Sequence, residues 1–257
     1  MSTEDPFRRR PDLSSAFLTA TAFFTRLPVG PHTTGAWRLS DAAWAFPLVG
    51  AGIGGLAAVA FLLAQLLGFG DGTAAVLAVL AGIAITGALH EDGLADTADG
   101  FCGGADREAV LTIMRDSRHG TFGVLAIALS VLLRIGALAG IGDAIHVGLA
   151  LVAAHAVSRG ALALPMHIMT PARPDGLGAA AGSPEPRGLI GAAAIGILIA
   201  VMALGPIRGA IAVCLTGIMV LSMVALARRR IGGYTGDVLG AFQQIGEIVM
   251  LLAASAR

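Results

Sequence analysis

The chain has 257 residues, of which 56% are hydrophobic and only 13% are charged, and its mean hydropathy is +0.80. Soluble domains carry about a quarter charged residues, so this composition excludes an ordinary soluble protein and indicates an integral membrane protein. Positive and negative charges balance to a net charge of zero, and no nucleic-acid partner is expected. The two cysteines, Cys102 and Cys214, match no metal-ligand spacing and no disulfide framework.

The N-terminal part of the chain is polar at first and then briefly apolar. No short cleavable apolar segment follows residues 1–12, so the whole chain is expected to be mature protein. The next stretch, "SSAFLTATAFFTRLPV" at 14–29, is short and is interrupted by Arg26. It is predicted to form a re-entrant helix, an interfacial helix or a short eighth span.

Seven later segments are apolar for long enough to cross a bilayer, which takes about 20 residues. They are 42–67, 73–90, 121–142, 146–167, 189–206, 208–227 and 236–254. Aromatic residues are few, at 5%, so packing between helices must rely on small and aliphatic side chains. The predicted fold class is all-α, a polytopic membrane helix bundle that forms one domain over residues 1–257.

The distribution of arginine predicts the orientation of the bundle. The chain has no lysine, so its 17 basic residues are all arginines. With the N-terminus in the cytoplasm, the inner loops hold 13 of them, the outer side holds Arg208 and Arg257, and Arg134 and Arg159 lie within spans. Because cytoplasmic loops are enriched in basic residues, the N-terminus is predicted to be inside. The connection 91–120, expected to be a loop that carries the catalytic groups, then also faces the cytoplasm.

The stretch "HEDGLADTADG" at 90–100 places acidic residues at the end of an apolar run. Asp92, Asp96 and Asp99 have the spacing i, i+4, i+7, which puts them on one face of a helix. Hard carboxylate oxygens so arranged suit Mg²⁺ or Mn²⁺, with substrate phosphates filling further positions. Glu91 points about 100° away from Asp92 and is left out of the predicted metal site. The alternative is a solvated acidic turn at the membrane boundary.

Basic and hydroxyl groups follow in "MRDSRHGTFG" at 114–123, at the start of the next predicted span. Helix N-termini with basic side chains bind anions, and arginine matches phosphate oxygens. Arg115, Arg118 and Ser117 are therefore candidate phosphate ligands. The two arginines could equally be anchors that contact lipid headgroups.

Further polar residues lie near or within the later spans. Asp237 opens the last span and is a candidate fourth metal ligand from a second helix. Glu247 lies deeper and is expected to pair with Arg134 or Arg159, since an ionisable group inside a membrane needs a partner. The loop "ARPDGLG" at 172–178 either carries ligand contacts or is a plain connector.

Six motifs in order resemble the cobalamin synthase family, also called adenosylcobinamide-GDP ribazoletransferase or cobalamin-5′-phosphate synthase. They are "FFTRLPV" (23–29), "FPLVG" (46–50), "GALHEDGLADTADGFCGG" (87–104), "IMRDSRHGTFG" (113–123), "ARPDGLG" (172–178) and "GGYTGDVLGA" (232–241). The likeness covers about residues 17–250. The long acidic motif and the last block are its specific parts.

The resemblance implies an Mg²⁺-dependent enzyme of the bacterial inner membrane. Such an enzyme condenses adenosylcobinamide-GDP with α-ribazole or its 5′-phosphate, giving adenosylcobalamin or its phosphate and releasing GMP. The expected catalytic residues are Asp92, Asp96 and Asp99, and the expected metal ligands are these three with Asp237. The expected substrate-binding residues are Arg26, Arg115, Asp116, Ser117, Arg118, Arg159 and Arg173. Partners are the two substrates and the lipid bilayer, and the sequence leaves a homo-oligomer open.

Two other readings stay open at this point. A membrane transferase of the CDP-alcohol phosphotransferase kind shares the "DTADG" half of its motif, but Gly103 and Gly104 stand where Ala-Arg is expected. A transporter could use intramembrane acids and arginines along a path, but transporters commonly contain internal repeats and midplane polar groups. No repeat is visible here, and the acids lie at one interface.

Overall fold

A computed structural model describes residues 12–29 and 38–256. The described chain is helical, with twelve α-helices and one 3₁₀ helix, Leu39–Ala45. The α-helices are α1 Leu13–Phe24, α2 Phe46–Leu66, α3 Asp71–Thr86, α4 Leu89–Gly103, α5 Arg107–Ile113, α6 Thr121–Ile141, α7 Ala144–Gly160, α8 Ala163–Ile168, α9 Leu177–Ala181, α10 Pro186–Leu204, α11 Pro206–Ile231 and α12 Gly236–Ser255. The all-α prediction is confirmed.

Six helical segments are long and apolar enough to cross a membrane. They are Leu39–Leu66, Thr121–Ile141, Ala144–Ile168, Pro186–Leu204, Pro206–Ile231 and Gly236–Ser255. A seventh crossing exists only if α3 and α4 count as one span, because these helices are bent by 90° at their junction. The protein is therefore a multi-pass helix bundle, and six of the seven predicted spans correspond to continuous apolar segments.

The predicted span 73–90 is wrong at its end, since α3 stops at Thr86. Gly87 and Ala88 both adopt left-handed backbone conformations, with φ of 66° and 58°. Glycine adopts this conformation without strain, whereas alanine does so at a cost of about 1–2 kcal/mol. The break turns the chain from α3 into α4, and α4 carries the acidic motif.

The connection 91–120, predicted as a loop, contains most of α4 and the whole of α5. Its first part is therefore rigid and packed on the bundle. The N-terminal stretch 14–29 forms only the 12-residue helix α1. At 1.5 Å per residue this helix is about 18 Å long, too short to cross a hydrocarbon core of about 30 Å, so α1 is not a full span.

The centre of the bundle is α7, which packs against α2, α10 and α12. Close approach of α2 depends on two glycines. A Cβ on Gly50 would overlap the carbonyl of His155, and one on Gly54 would overlap the carbonyl of Leu151. Small residues at helix contacts are what membrane bundles use to bring backbones together. Helix α12 packs against this centre through α7 and in turn packs against α4.

Candidate active site

The acidic helix α4 packs between α6 and α12. The three aspartates of the motif lie within this helix, as predicted, but their environments differ. The side chain of Asp92 is 66% exposed and that of Asp96 is 17% exposed, whereas Asp99 is buried. The first two carboxylates are therefore open to ligands, and the third is turned into the bundle.

Two glycines bring α4 against the start of α12. A Cβ on Gly93 would lie 2.6 Å from the carbonyl oxygen of Asp237, and one on Gly240 would lie 3.2 Å from the Cα of Gly93. No larger side chain fits at either position without moving a helix. The contact places the carboxylates of Asp92 and Asp237 on one cavity. Both charges also act on the carboxylate of Asp96.

Asp99 binds the N-terminus of α6. Its Oδ2 accepts a hydrogen bond from the backbone N–H of Gly120 at 2.6 Å, and its Oδ1 accepts one from Gly123 at 2.8 Å. These donors belong to the first turn of a helix, which has no intrahelical acceptors for them and favours negative charge. The predicted four-carboxylate cluster is therefore not assembled in this structure, because Asp99 caps a helix instead of facing Asp237.

His119 lies between the two open carboxylates of α4. Its Nε2 is 3.9 Å from Oδ1 of Asp92, and its Nδ1 is 3.8 Å from Oδ1 of Asp96. The ring is 39% exposed. His119 is thus placed to hold a proton or to hydrogen-bond an oxygen that reaches these two carboxylates.

The cavity measures about 250 Å³ and has an exposed rim and a buried wall. The rim carries Asp92, Arg173, Asp175 and Asp237. The wall is largely apolar and includes Phe23, Phe24, Leu39, Phe46, Leu89, Leu162, Met166 and Leu239. A deep apolar pocket with a few polar groups at one end is the usual form of a small-molecule site.

The loop before α9 reaches the rim through a short β-bridge between Pro171 and Tyr234. The backbone N–H of Ala172 donates to the carbonyl of Tyr234 at 2.8 Å. One residue further on, Nη2 of Arg173 donates to Oδ2 of Asp237 at 2.8 Å. Of the arginines predicted to bind substrate, Arg173 is the one that lines the cavity.

The predicted substrate-binding residues at 115–118 do not line the cavity. Arg115 forms a 2.9 Å ion pair with Asp175 at the rim. Arg118 pairs with Asp116 at 2.7 Å and lowers the pKa of that carboxyl to about 2. Ser117, in the same loop, is exposed. The four predicted ligands at 115–118 are therefore all exposed and lie outside the cavity lining.

Arg26 and Arg159 are not among the residues that line the cavity. The backbone N–H of Arg26 donates to the carbonyl of Ile85 at 2.8 Å, and its side chain lies against Gly87, where α3 ends. Arg159 is 1% exposed, with its guanidinium carbon 6.0 Å from the ring centroid of Phe24. It belongs to a different set of residues, in the interior of the bundle.

The buried ionic network, as we call it, is built from Glu91, Arg134, His155, Arg159 and Glu247, all at most 6% exposed. Nη1 of Arg134 donates to Glu91 at 3.0 Å and to Glu247 at 3.2 Å. Glu247 is also 3.2 Å from His155 and 3.9 Å from Arg159. The predicted pairing of Glu247 with Arg134 or Arg159 is confirmed with both partners. Glu91, which was left out of the predicted metal site, belongs to this network.

The donor set at the rim suits Mg²⁺, although it does not enclose a metal by itself. Within residues 12–29 and 38–256, no three His, Cys, Asp or Glu side chains converge closely enough to hold an ion. Mg²⁺ commonly uses one or two carboxylates and takes its other ligands from water and substrate phosphates. Asp92 and Asp237 provide two carboxylates on one cavity, so the site fits an ion that arrives with a phosphorylated substrate.

Comparison with known proteins decides the family. A sequence profile described as cobalamin-5-phosphate synthase matches residues 16–255. The chain belongs to this family. Three similar proteins are named adenosylcobinamide-GDP ribazoletransferase: one from Bradyrhizobium diazoefficiens, 48% identical with 92% of each chain covered; one from Mesorhizobium japonicum, 45% identical with 91% and 90% covered; and one from Azorhizobium caulinodans, 43% identical with 91% and 92% covered. No solved structure matches significantly.

Five of the six motifs that resemble the cobalamin-5-phosphate synthase family contribute residues to the cavity lining, and the motif at 113–123 does not. Sequence reasoning missed one of the lining residues. His90 stands at the end of the predicted span 73–90, and its sequence pattern gave it no role. In the structure it is 3% exposed, belongs to the cavity lining and stacks on Phe24, with ring centroids 5.8 Å apart. Its place next to the acidic residues was the available signal, and its burial follows from the break at Gly87 and Ala88.

Proposed function

We propose that this cobalamin-5-phosphate synthase family member condenses adenosylcobinamide-GDP with α-ribazole or its 5′-phosphate. The products are adenosylcobalamin or its 5′-phosphate, and GMP. Family membership across residues 16–255 supports the reaction. The observation that carries the proposal is the convergence of Asp92, Asp237 and Arg173, from three separate segments, at the rim of one cavity.

We assign the proposed Mg²⁺ to the carboxylates of Asp92 and Asp237. Asp96 lies one turn further along α4 and is not assigned as a ligand. When bound, the ion neutralises charge on the pyrophosphate oxygens and stabilises the departing GMP. Asp99 holds the N-terminus of α6 and so fixes the loop that carries His119. The proposed ligands Asp92 and Asp237 are thus accessible carboxylates, whereas the buried Asp99 caps α6.

The chain's own residues then position the two reacting groups. Arg173 can exchange its contact with Asp237 for a phosphate oxygen, since arginine binds both groups well. A ribazole hydroxyl attacks the phosphorus that is linked to cobinamide. The new O–P bond forms as the P–O bond to GMP breaks, and the hydroxyl proton passes to the carboxylate of Asp96. Nδ1 of His119 lies 3.8 Å from Oδ1 of Asp96, close enough for its charge to act on that carboxylate.

The site is proposed to face the cytoplasm of the bacterial inner membrane. Arginines join the segments around it: Arg107 donates to the carbonyls of Ile231 and Ala172, and Arg230 donates to those of Phe101 and Gly104. These contacts hold the segments around the cavity rim together. The concentration of arginine in these segments supports a cytoplasmic orientation, because cytoplasmic loops are enriched in basic residues.

The test uses purified full-length protein in nanodiscs with both substrates. We expect one GMP released for each cobalamin or cobalamin phosphate formed, and loss of both products when EDTA removes divalent ions. Mn²⁺ replaces Mg²⁺ as a spectroscopic probe, and its EPR signal should show a site that forms with substrate and is lost in Asp92→Asn. The variant Glu108→Gln, which changes an exposed acid of α5, is the matched control. Absence of GMP from the wild-type protein would overturn the function, and full activity in EDTA would overturn the metal.

A further inference from the structure

Arg107, the first residue of α5, is not among the residues that line the cavity, yet it binds the loop that leads into it. Its Nε donates to the carbonyl oxygen of Ile231 at 2.9 Å, and its Nη2 donates to that of Ala172 at 2.5 Å. Ile231 is the last residue of α11, and Ala172 directly precedes Arg173. One guanidinium therefore joins the end of a membrane span to the loop that carries the cavity arginine.

The backbone of Ala172 is held on its other side by the segment that precedes α12. Its N–H donates to the carbonyl of Tyr234 at 2.8 Å, and the N–H of Tyr234 donates to the carbonyl of Thr170 at 3.1 Å. The two segments lie so close that a Cβ on Gly233 would overlap the carbonyl oxygen of Thr170. Both polar backbone groups of Ala172 thus have partners, and the partner of its carbonyl is the side chain of Arg107.

The residue after this fixed backbone is the one that reaches the rim. Nη2 of Arg173 donates to Oδ2 of Asp237 at 2.8 Å, and the hydroxyl of Thr235 donates to the same oxygen at 3.1 Å. The side chain of Arg173 is 17% exposed, so it has little freedom to adjust if its backbone moves. A displacement of about 1 Å at a substrate-positioning group can lower a rate about 100-fold. The position of the Arg173 guanidinium therefore depends on what holds its backbone.

The contacts of Arg107 differ from those of an arginine that only marks the cytoplasmic side. Such an arginine is free to meet lipid headgroups, whereas two donors of Arg107 bind carbonyls of two separate segments. The planar fork of arginine holds both acceptors at once, which the single ammonium of lysine does poorly. Hydrogen bonds from a charged donor are also stronger than neutral ones.

We propose that Arg107 is a positioning residue for Arg173, which it aims at the phosphates of the substrate by fixing the carbonyl of Ala172. The inference rests on the proposed function, since it uses the phosphate contact assigned there to Arg173. Arg107 acts only through Arg173 and has no contact with the substrate. Its loss should therefore weaken binding of adenosylcobinamide-GDP and leave binding of unphosphorylated α-ribazole unchanged.

The first experiment needs no substrate. Hydrogen–deuterium exchange of the full-length protein in nanodiscs reports how often the backbone pairing between Ala172 and Tyr234 opens. In Arg107→Met the peptides that cover these two amides should exchange at least tenfold faster, the effect of losing a hydrogen bond from a charged donor. Peptides from α7 should not change, and the exposed Arg229→Met is the control. Unchanged exchange at Ala172, or faster exchange throughout α7 as well, would overturn the local role of Arg107.

The second experiment is a double-mutant cycle on Arg107 and Arg173. Equilibrium dialysis against adenosylcobinamide-GDP alone, without the second substrate, gives dissociation constants for wild type, Arg107→Met, Arg173→Met and the double variant. Arg107→Met should weaken binding about three- to tenfold in the wild-type background and have no effect once Arg173 is replaced. Arg107→Lys keeps the charge and one donor, so it should restore part of the affinity. Additive losses in the double variant, or an equal loss of α-ribazole binding in Arg107→Met, would contradict the proposal.

Failure of this inference can be told apart from failure of the proposed function. Coupled losses of binding without GMP release by wild type would overturn the reaction and leave the role of Arg107 standing. GMP release by wild type with additive losses of binding would do the reverse. If wild type did not bind adenosylcobinamide-GDP, the proposed function would fail, and the exchange rate at Ala172 would still decide whether Arg107 holds the loop.

Discussion

Glu91 and Asp92 are neighbours in the sequence, yet they lie in opposite environments. Glu91 is 6% exposed and shares Arg134 with Glu247, whereas the side chain of Asp92 is 66% exposed on the cavity rim. Two adjacent helix positions point about 100° apart. One therefore enters the core of the bundle, and the other faces ligands.

The two regions also differ in how their charges are balanced. In the buried ionic network, Glu91 and Glu247 are matched by Arg134 and Arg159. At the rim, Asp237 pairs with Arg173. Among the described residues, the one basic side chain within 4 Å of Asp92 or of the neighbouring Asp96 is His119. Ions inside a bilayer need partners, but carboxylates at its surface can remain available. The surplus of negative charge at the rim is what the proposed cation would balance.

The largest expected effect comes from breaking the buried ionic network. Arg134→Met leaves two buried carboxylates without their cation, which should lower the free energy of unfolding by about 3–5 kcal/mol. Thermal unfolding followed by circular dichroism in detergent measures this loss. Arg229→Met, which removes an exposed arginine at the end of α11, is the control and should change the melting temperature little. Equal losses of stability in Arg134→Met and Arg229→Met would contradict a stabilising role of the buried ionic network.

Variants of the acidic residues beside the cavity should lose activity and keep their stability. Asp96→Asn removes the proposed proton acceptor, so the rate of GMP release should fall about 100-fold or more with an unchanged melting temperature. Glu108→Gln serves as control because it alters an exposed acid outside the cavity. Retained activity in Asp96→Asn would contradict the proposed role of this residue.

The helix contact that joins the two halves of the rim should be sensitive to size. Gly240→Val pushes α12 away from α4, since even a Cβ would lie 3.2 Å from the Cα of Gly93. We expect a loss of about 1–3 kcal/mol in stability and at least a tenfold loss of GMP release. Gly217→Val is the matched control, because a Cβ at that position meets nothing within 4 Å. If the two variants behaved alike, the Gly93–Gly240 contact would have no part in the site.

Asp99→Asn should have the smallest effect and separates two roles for this residue. In the capping role, Asn keeps one of the two accepting oxygens, so the change should cost about 1 kcal/mol of stability, the value of one hydrogen bond, and reduce GMP release only a few-fold. A metal ligand would instead show a large loss of activity with an unchanged melting temperature. The same two assays used for Asp96→Asn decide between these outcomes.

Sequence alone predicted the bundle and the face of the acidic helix, because both follow from local patterns. Apolar length indicated the spans, and the spacing of Asp92, Asp96 and Asp99 placed them on one helix face. It could not predict that Asp99 binds α6, since that contact joins residues 21 and 24 positions apart. The burial of His90 was missed for a related reason, because it depends on the positive φ of Ala88 and on packing against Phe24.

We propose that Glu91 stabilises the fold while its neighbour Asp92 serves the reaction. The most direct measurement compares Glu91→Gln with Asp92→Asn in one preparation, recording the melting temperature and the rate of GMP release per folded molecule. We expect a lower melting temperature with largely retained activity for Glu91→Gln, and an unchanged melting temperature with lost activity for Asp92→Asn. Parallel changes of both quantities in both variants would contradict it.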